Sequence, residues 1–179
     1  VAIASIFRAR AEVAQQLLDG VPQDATRTIE FRTSALRGQG STTSIHRKLP
    51  GKDEGHYHIY TVRLTSEESA THNLCSQLFQ AFRQSGEANA SRFNATHRAS
   101  PWLYVGSSKD VRGRFRSHLG VGRSRTTWGM YLSLWLSEID ETVAVDVLKI
   151  PTADSDLIEF IETGIWDTLR PMFGKKGGK

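Results

Sequence analysis

The stretch from Thr142 to Ile150 limits this chain's fold most tightly. Val143, Val145 and Val147 alternate with Ala144, Asp146 and Leu148, the two-residue period of a strand, and Pro151 closes the run. Directly after it the period changes. Leu157, Phe160, Ile161, Ile165 and Leu169 recur at helical spacing from near Asp156 until Arg170-Pro171 stops the helix. Both periods in one short chain require helices packed on a sheet.

Two further strands are expected. In His56 to Leu64, Tyr60, Val62 and Leu64 share one face and Ile59 takes the other; Pro101 to Val105 is shorter and ends on Gly106 and two serines. The first nineteen residues read as an amphipathic helix stopped by Gly20, and Ser66 to Ser85 as another with Leu74, Leu78, Phe79 and Phe82 buried. A helix from about Asp110 carries Val111, Phe115 and Leu119 on one stripe and stops at Gly120. Trp128, Tyr131, Leu132, Trp135 and Ile139 suggest one more. Between Val21 and Gly55 the pattern fades into a polar stretch with the basic cluster His46-Arg47-Lys48. The expected fold is therefore α+β: a small, mainly antiparallel three-stranded sheet flanked by helices. Residues 1–55 would be an N-terminal helix and basic arm, 56–174 the main domain with an inserted helix between its first two strands (about 65–100), and 175–179 a basic tail.

The 179 residues are enough to bury a core without covalent staples, and the single Cys75 excludes an internal disulfide framework or a cysteine zinc knuckle. No apolar run reaches the roughly 18 residues of a membrane span. Arg8, Arg10 and Glu12 interrupt any secretory signal at the N-terminus, so a reducing, cytoplasmic setting is expected. The net charge of +4 is modest, but its placement is uneven. Lys109, Arg112, Arg114, Arg116, Arg123 and Arg125 are opposed only by Asp110, whereas eight acids between Glu138 and Glu162 face the lone Lys149. A polyanion would choose the first stretch, and Arg47 and Lys48 would add to it.

Tyr60, Tyr104-Val105-Gly106, Arg114, His118, Glu162 and Pro171, in this order on two strands and two helices, resemble the GIY-YIG nuclease superfamily over roughly Tyr57 to Phe173. The chain departs from the motif where His58 replaces its first Gly, where a helix separates Tyr60 from Tyr104, and where Gly174 stands in place of Asn. The resemblance implies a GIY-YIG-like α+β fold and a divalent-metal-dependent DNA endonuclease, with Glu162 holding one Mg²⁺ or Mn²⁺ and Arg114 pairing with the scissile phosphate. Tyr60 would relay or accept the proton of the attacking water, with Tyr104 and His118 orienting it. A phenol is about three pH units too weak a base at neutrality, so His118 or Tyr104 is an alternative base. Double-stranded DNA is the expected partner, a homodimer is compatible with cutting both strands, and restriction, mobile-element and repair roles all suit the family. The alternative is a nucleic-acid-binding module that keeps the scaffold without activity.

The residues carry part of this independently. Arg114 and His118 stand one helical turn apart at a flank of the Val111-Phe115-Leu119 stripe. Glu159 falls three residues after Asp156, the spacing of a capping box, which leaves Glu162, at the stripe's edge, for the cation. His56 and His58 lack a third ligand nearby in sequence.

Overall fold

The computed structural model describes residues 3–22, 26–121 and 128–177. In chain order these form helix α1 (Ile3–Asp19), strand β1 (Thr26–Arg32), helix α2 (Gln39–Arg47), strand β2 (Tyr57–Leu64), helix α3 (Ser69–Ser85), strand β3 (Trp102–Ser108), helix α4 (Val111–Leu119), strand β4 (Thr142–Ile150) and helix α5 (Ser155–Leu169). The class is α+β, with one antiparallel sheet in the order β1-β4-β2-β3. No helix among the described residues is long and apolar enough to cross a membrane.

The sheet has four strands, not three. The added strand comes from the stretch expected to be a basic arm, which also holds α2. Seven residues of β1 pair with β4, from Thr26 against Leu148 to Arg32 against Thr142. Only Ile29 and Phe31 of β1 are buried, because it is an edge strand covered on one face. Two apolar residues among polar neighbours leave little period to read.

Each face of the sheet carries its own core. On one face Tyr60, Val62 and Leu64 of β2 and Val143, Val145 and Val147 of β4 pack with Phe79 of α3 and Phe115 of α4. On the other, Ile59 and Ile150 pack with Leu157, Ile158 and Ile161 of α5 and Ala14 of α1. The alternation that defines β2 and β4 thus divides helices between two layers. Helix α4 buries Val111, Phe115 and Leu119 completely and ends on Gly120 at φ +79°.

Three local expectations are corrected. Helix α3 starts at Ser69 and turns His72, Cys75, Ser76, Phe79 and Phe82 inward, leaving Leu74 exposed. The segment from Trp128 to Ile139 is not an amphipathic helix but two short 3-10 turns, at Leu132–Leu134 and Leu136–Glu138. Tyr131 enters the left-handed region at φ 53°, and the Trp135 indole donates to the Met130 carbonyl at 2.7 Å; both break a regular helix. Helix α5 begins one residue before Asp156, and its cap is Asp154, whose carboxylate accepts the backbone N–H groups of Asp156 and Leu157. Glu159 is therefore free of the capping role expected for it.

The fourth strand is anchored by Thr33, which is fully buried just beyond β1. Its hydroxyl donates to the Ile139 carbonyl and accepts the Glu141 backbone N–H at 2.9 Å, while its own backbone N–H donates to the Glu141 carbonyl at 2.8 Å. Thr33→Val keeps the shape and removes the hydroxyl, stranding both of its partners. The expected loss is about 1–3 kcal/mol in chemical denaturation; an unchanged midpoint would show that this anchor contributes nothing.

Candidate active site

Strands β2 and β3 bring the two tyrosines together by register, Tyr60 opposite Gly106 and Val62 opposite Tyr104. The phenol rings stack with centroids 6.0 Å apart and planes inclined by 21°. Glycine is required between them: a Cβ at Gly106 would sit 2.6 Å from Tyr104 Cε1 and 3.0 Å from the Tyr60 hydroxyl oxygen. Gly174 closes the other edge of the Tyr104 ring. Its φ of +101° and a would-be Cβ 2.9 Å from Tyr104 Cε2 both call for glycine.

Helix α4 supplies the next two side chains from the flank beside its buried stripe. His118 is wholly buried and lies 4.4 Å from the Tyr104 ring, centroid to centroid. Its Nδ1 accepts the Met130 backbone N–H at 3.3 Å, so the neutral ring carries its proton on Nε2 and donates it to the Tyr60 hydroxyl at 3.0 Å. Burial, with Arg114 adding to it, pushes the His118 pKa well below the usual imidazole value and keeps this tautomer near neutrality. Burial also pushes the Tyr60 hydroxyl well above the usual phenol value, with Tyr104 in the same direction and Arg114 opposing. Arg114 Nη2 reaches the Tyr104 hydroxyl at 3.5 Å, a long contact. Burial works against the Arg114 charge, but Tyr60 and Tyr104 outweigh it and raise the pKa.

Glu162 comes from α5, on the far side of the same opening, and is half-buried. Burial raises its pKa and neighbouring Glu159 adds to the rise, while hydrogen bonds from the Ser107 hydroxyl and backbone N–H, together with Arg114, oppose it. Tyr104, Arg114, Ser107, Glu159 and Glu162 all line one cavity of about 820 Å³. Tyr60 lies behind Tyr104, almost entirely buried. Of the five residues expected at the site, four are therefore joined by contacts around two rings, and Glu162 faces them across the cavity.

A divalent cation fits this donor set in one way only. Among the described residues no group of three or more His, Cys, Asp or Glu side chains could hold a metal. Glu162, with Glu159 beside it on the same wall, offers so few protein ligands that it suits an ion taking its remaining ligands from phosphate and water. His56 does not join such a site; it pairs with Asp53 at 3.0 Å, and Asp53 also meets Lys149 at 2.9 Å. His58, standing where the motif has Gly, is buried and its Nδ1 has no hydrogen-bond partner among the described residues.

The basic residues divide. Arg112 and Arg116 leave α4 on the flank away from Arg114 and stand exposed beside α2; the Arg112 Nε donates to the Leu49 carbonyl at 3.1 Å. Arg47 and Lys48 are exposed at the C-terminal end of α2, and Arg47, Arg112 and Arg116 all act on buried His46. Lys109 lies apart from them, its ammonium 4.9 Å from the centre of the Tyr57 ring at the cavity's edge. Arg123 and Arg125 fall outside the described residues. The cavity also recruits residues that motif and periodicity passed over: Ser107, Tyr57, Arg92, Trp128 and Lys175. Ser107 was within reach, being the residue after the motif glycine, whereas Arg92 sits in a polar stretch with no periodic signal and Trp128 was read as part of a helix that does not form.

No protein-family model matches this chain, and neither a curated protein nor a solved structure matches it.

Burial, the largest influence on each, lowers the pKa of His46, His58 and His118 below the ordinary 6.5. For each, the unfolded chain binds the proton more readily, so its contribution is complete above pH 6.5 and is lost as pH falls below it, at about 1.4 kcal/mol per pH unit while the folded ring stays neutral. Glu162, with its raised pKa, works in the opposite sense, but it is one group against three. The thermal midpoint should drop between pH 7.5 and pH 5.5; a midpoint constant across that range would mean that these rings accept protons freely in the folded state.

Proposed function

We propose that this chain is a divalent-cation-dependent DNA endonuclease of the GIY-YIG type, hydrolysing phosphodiester bonds in the cavity between β3, α4 and α5. The observation that carries this reading is that Arg114, Tyr104 and Glu162, far apart in sequence, line one opening wide enough for a sugar–phosphate linkage. Arg114 is held charged among phenol oxygens and offers a planar fork to a phosphate. Glu162, steadied by Ser107, is the residue to hold Mg²⁺ or Mn²⁺, which when bound would neutralise phosphoryl charge and acidify water.

Roles among the aromatic groups follow from access. Both ring nitrogens of His118 are engaged inside the protein, which supports a positioning role rather than that of a base. Tyr60 accepts the His118 proton donor and is shielded from the cavity by Tyr104. Tyr104 is the phenol that a water in the cavity would meet, and Tyr60 with His118 holds its ring in place. This departs from the expectation that Tyr60 acts first. Double-stranded DNA is the proposed partner, and the exposed Arg47, Lys48, Arg112 and Arg116 form a surface to which flanking phosphates can bind. The second reading, a DNA-binding module without activity, is favoured by the burial of Tyr60 and by His58 in the place of the motif glycine.

A plasmid-nicking assay with and without Mg²⁺ separates the two. Cleavage should require the cation, and Glu162→Gln should lower it by at least about 10²-fold with DNA affinity largely kept. Tyr104→Phe should cost more than Tyr60→Phe. The reverse ranking returns the base role to Tyr60, and full cleavage by Glu162→Gln overturns the metal assignment.

A further inference from the structure

Two residues on the cavity wall belong to no part of the constellation above. Trp128 and Arg92 line the same opening as Arg114, Tyr104 and Glu162. Trp128 is 60% exposed, although an indole is normally well covered. Its exposure does not come from slack backbone. The next residue, Gly129, donates its N–H to the Asn89 carbonyl at 3.2 Å and accepts the Ser91 N–H at 2.8 Å. A Cβ on Gly129 would lie 2.7 Å from the Ser117 carbonyl, so this run is pressed against α4. Met130 follows, and its N–H is the one that holds His118. The indole is thus presented by the same backbone that fixes the buried histidine.

Arg92 is held as firmly. Its carbonyl accepts the Gly174 N–H at 2.8 Å, Phe93 bridges Phe173, and Asn94 Nδ2 donates to the Pro171 carbonyl at 2.9 Å. The inserted stretch therefore builds a wall onto the site, and its Arg92 side chain is exposed there.

An aromatic ring and a guanidinium carried on fixed backbone, in the cavity that holds the proposed phosphate-binding arginine, suit an unstacked base with its phosphate. Aromatic stacking holds single-stranded bases without reading their identity. In a continuous duplex the base faces are already stacked and only their edges are open. The volume of about 820 Å³ also exceeds what a phosphate alone would fill. We infer that Trp128 and Arg92 form a subsite for an unpaired nucleotide adjoining the cleaved linkage, Trp128 stacking on the base and Arg92 pairing with its phosphate. This rests on the nucleic-acid reading of the cavity and narrows its substrate to duplex DNA interrupted by a short unpaired stretch.

The test is a fluorescence-anisotropy titration of the full chain without divalent cation. The probes are a fully paired labelled duplex and the same duplex with a single-stranded gap of about six nucleotides. The wild-type chain should bind the gapped duplex roughly tenfold more tightly or better. Trp128→Ala should erase that preference while leaving affinity for the paired duplex unchanged, Trp128→Phe should keep most of it, and Arg92→Gln should reduce it. Equal or tighter binding of the paired duplex by the wild-type chain overturns the subsite, as does a Trp128→Ala variant that weakens both probes alike or neither. Because the readout needs no cleavage, the two readings fail separately. A chain that shows the preference and never nicks DNA in Mg²⁺ loses the nuclease assignment alone. One that nicks without a Trp128-dependent preference loses the subsite alone.

Discussion

The hydrogen bond from His118 to Tyr60 joins helix α4 to the centre of the sheet, and Tyr104 packs against both partners. Its strength comes from burial. Neither group can turn to water for a replacement partner, and a buried polar atom left alone costs about 1–3 kcal/mol. The Met130 backbone N–H completes the arrangement by deciding which imidazole nitrogen carries the proton. One neutral ring therefore fixes a strand, a helix and the segment ahead of the 3-10 turns relative to one another. Tyr104 is then confined between that ring, Tyr60 and two glycines. What reaches the cavity is the outer edge of a core built to hold it still.

How much of this could be read from the sequence depended on how each element is covered. Strand β4 is buried on both faces in the middle of the sheet and shows a long apolar run with clear limits. Helix α4 shows three fully buried residues at four-residue spacing, and Arg114 and His118 follow from that stripe. Strand β1 has water along most of its length, so two inward residues were all it offered. The stretch from Trp128 to Ile139 misled for a different reason. Tyr131, Leu132, Trp135 and Ile139 do enter the core, while Trp128 stays exposed, and they do so from irregular turns whose course is set by the Trp135 indole and a left-handed Tyr131 rather than by period. At the site, the tyrosines, arginine, histidine and glutamate were legible because their types and order carry a resemblance. Arg92 and Trp128 were not, because only tertiary bridges bring them to the opening.

The cavity is electrically divided. Helix α5 presents Asp156, Glu159 and Glu162 to it, and Arg92, Arg114 and Lys175 also line it. Glutamates on one wall would repel a phosphate chain unless positive charge stood between them. A cation at Glu162 would serve there, and burial already disfavours the carboxylate's own charge. On the proposed reading, the acidic wall would set a condition on substrate entry as well as supplying a ligand.

Helix α4 distributes its arginines between two unlike flanks. Arg114 lies on the flank facing the phenols and is half-buried. Arg112 and Arg116 lie on the opposite flank with Arg47, exposed to water and to salt. Charges of the second kind attract a polyanion over distances near the Debye length and are weakened by added electrolyte, while a half-buried guanidinium is screened less. A nine-residue helix with a fully buried stripe between its two flanks therefore separates a cavity-lining arginine from neighbours that face solvent. The helix itself is anchored by Val111, Phe115 and Leu119, none of which touches solvent, so the two flanks can change independently on one element.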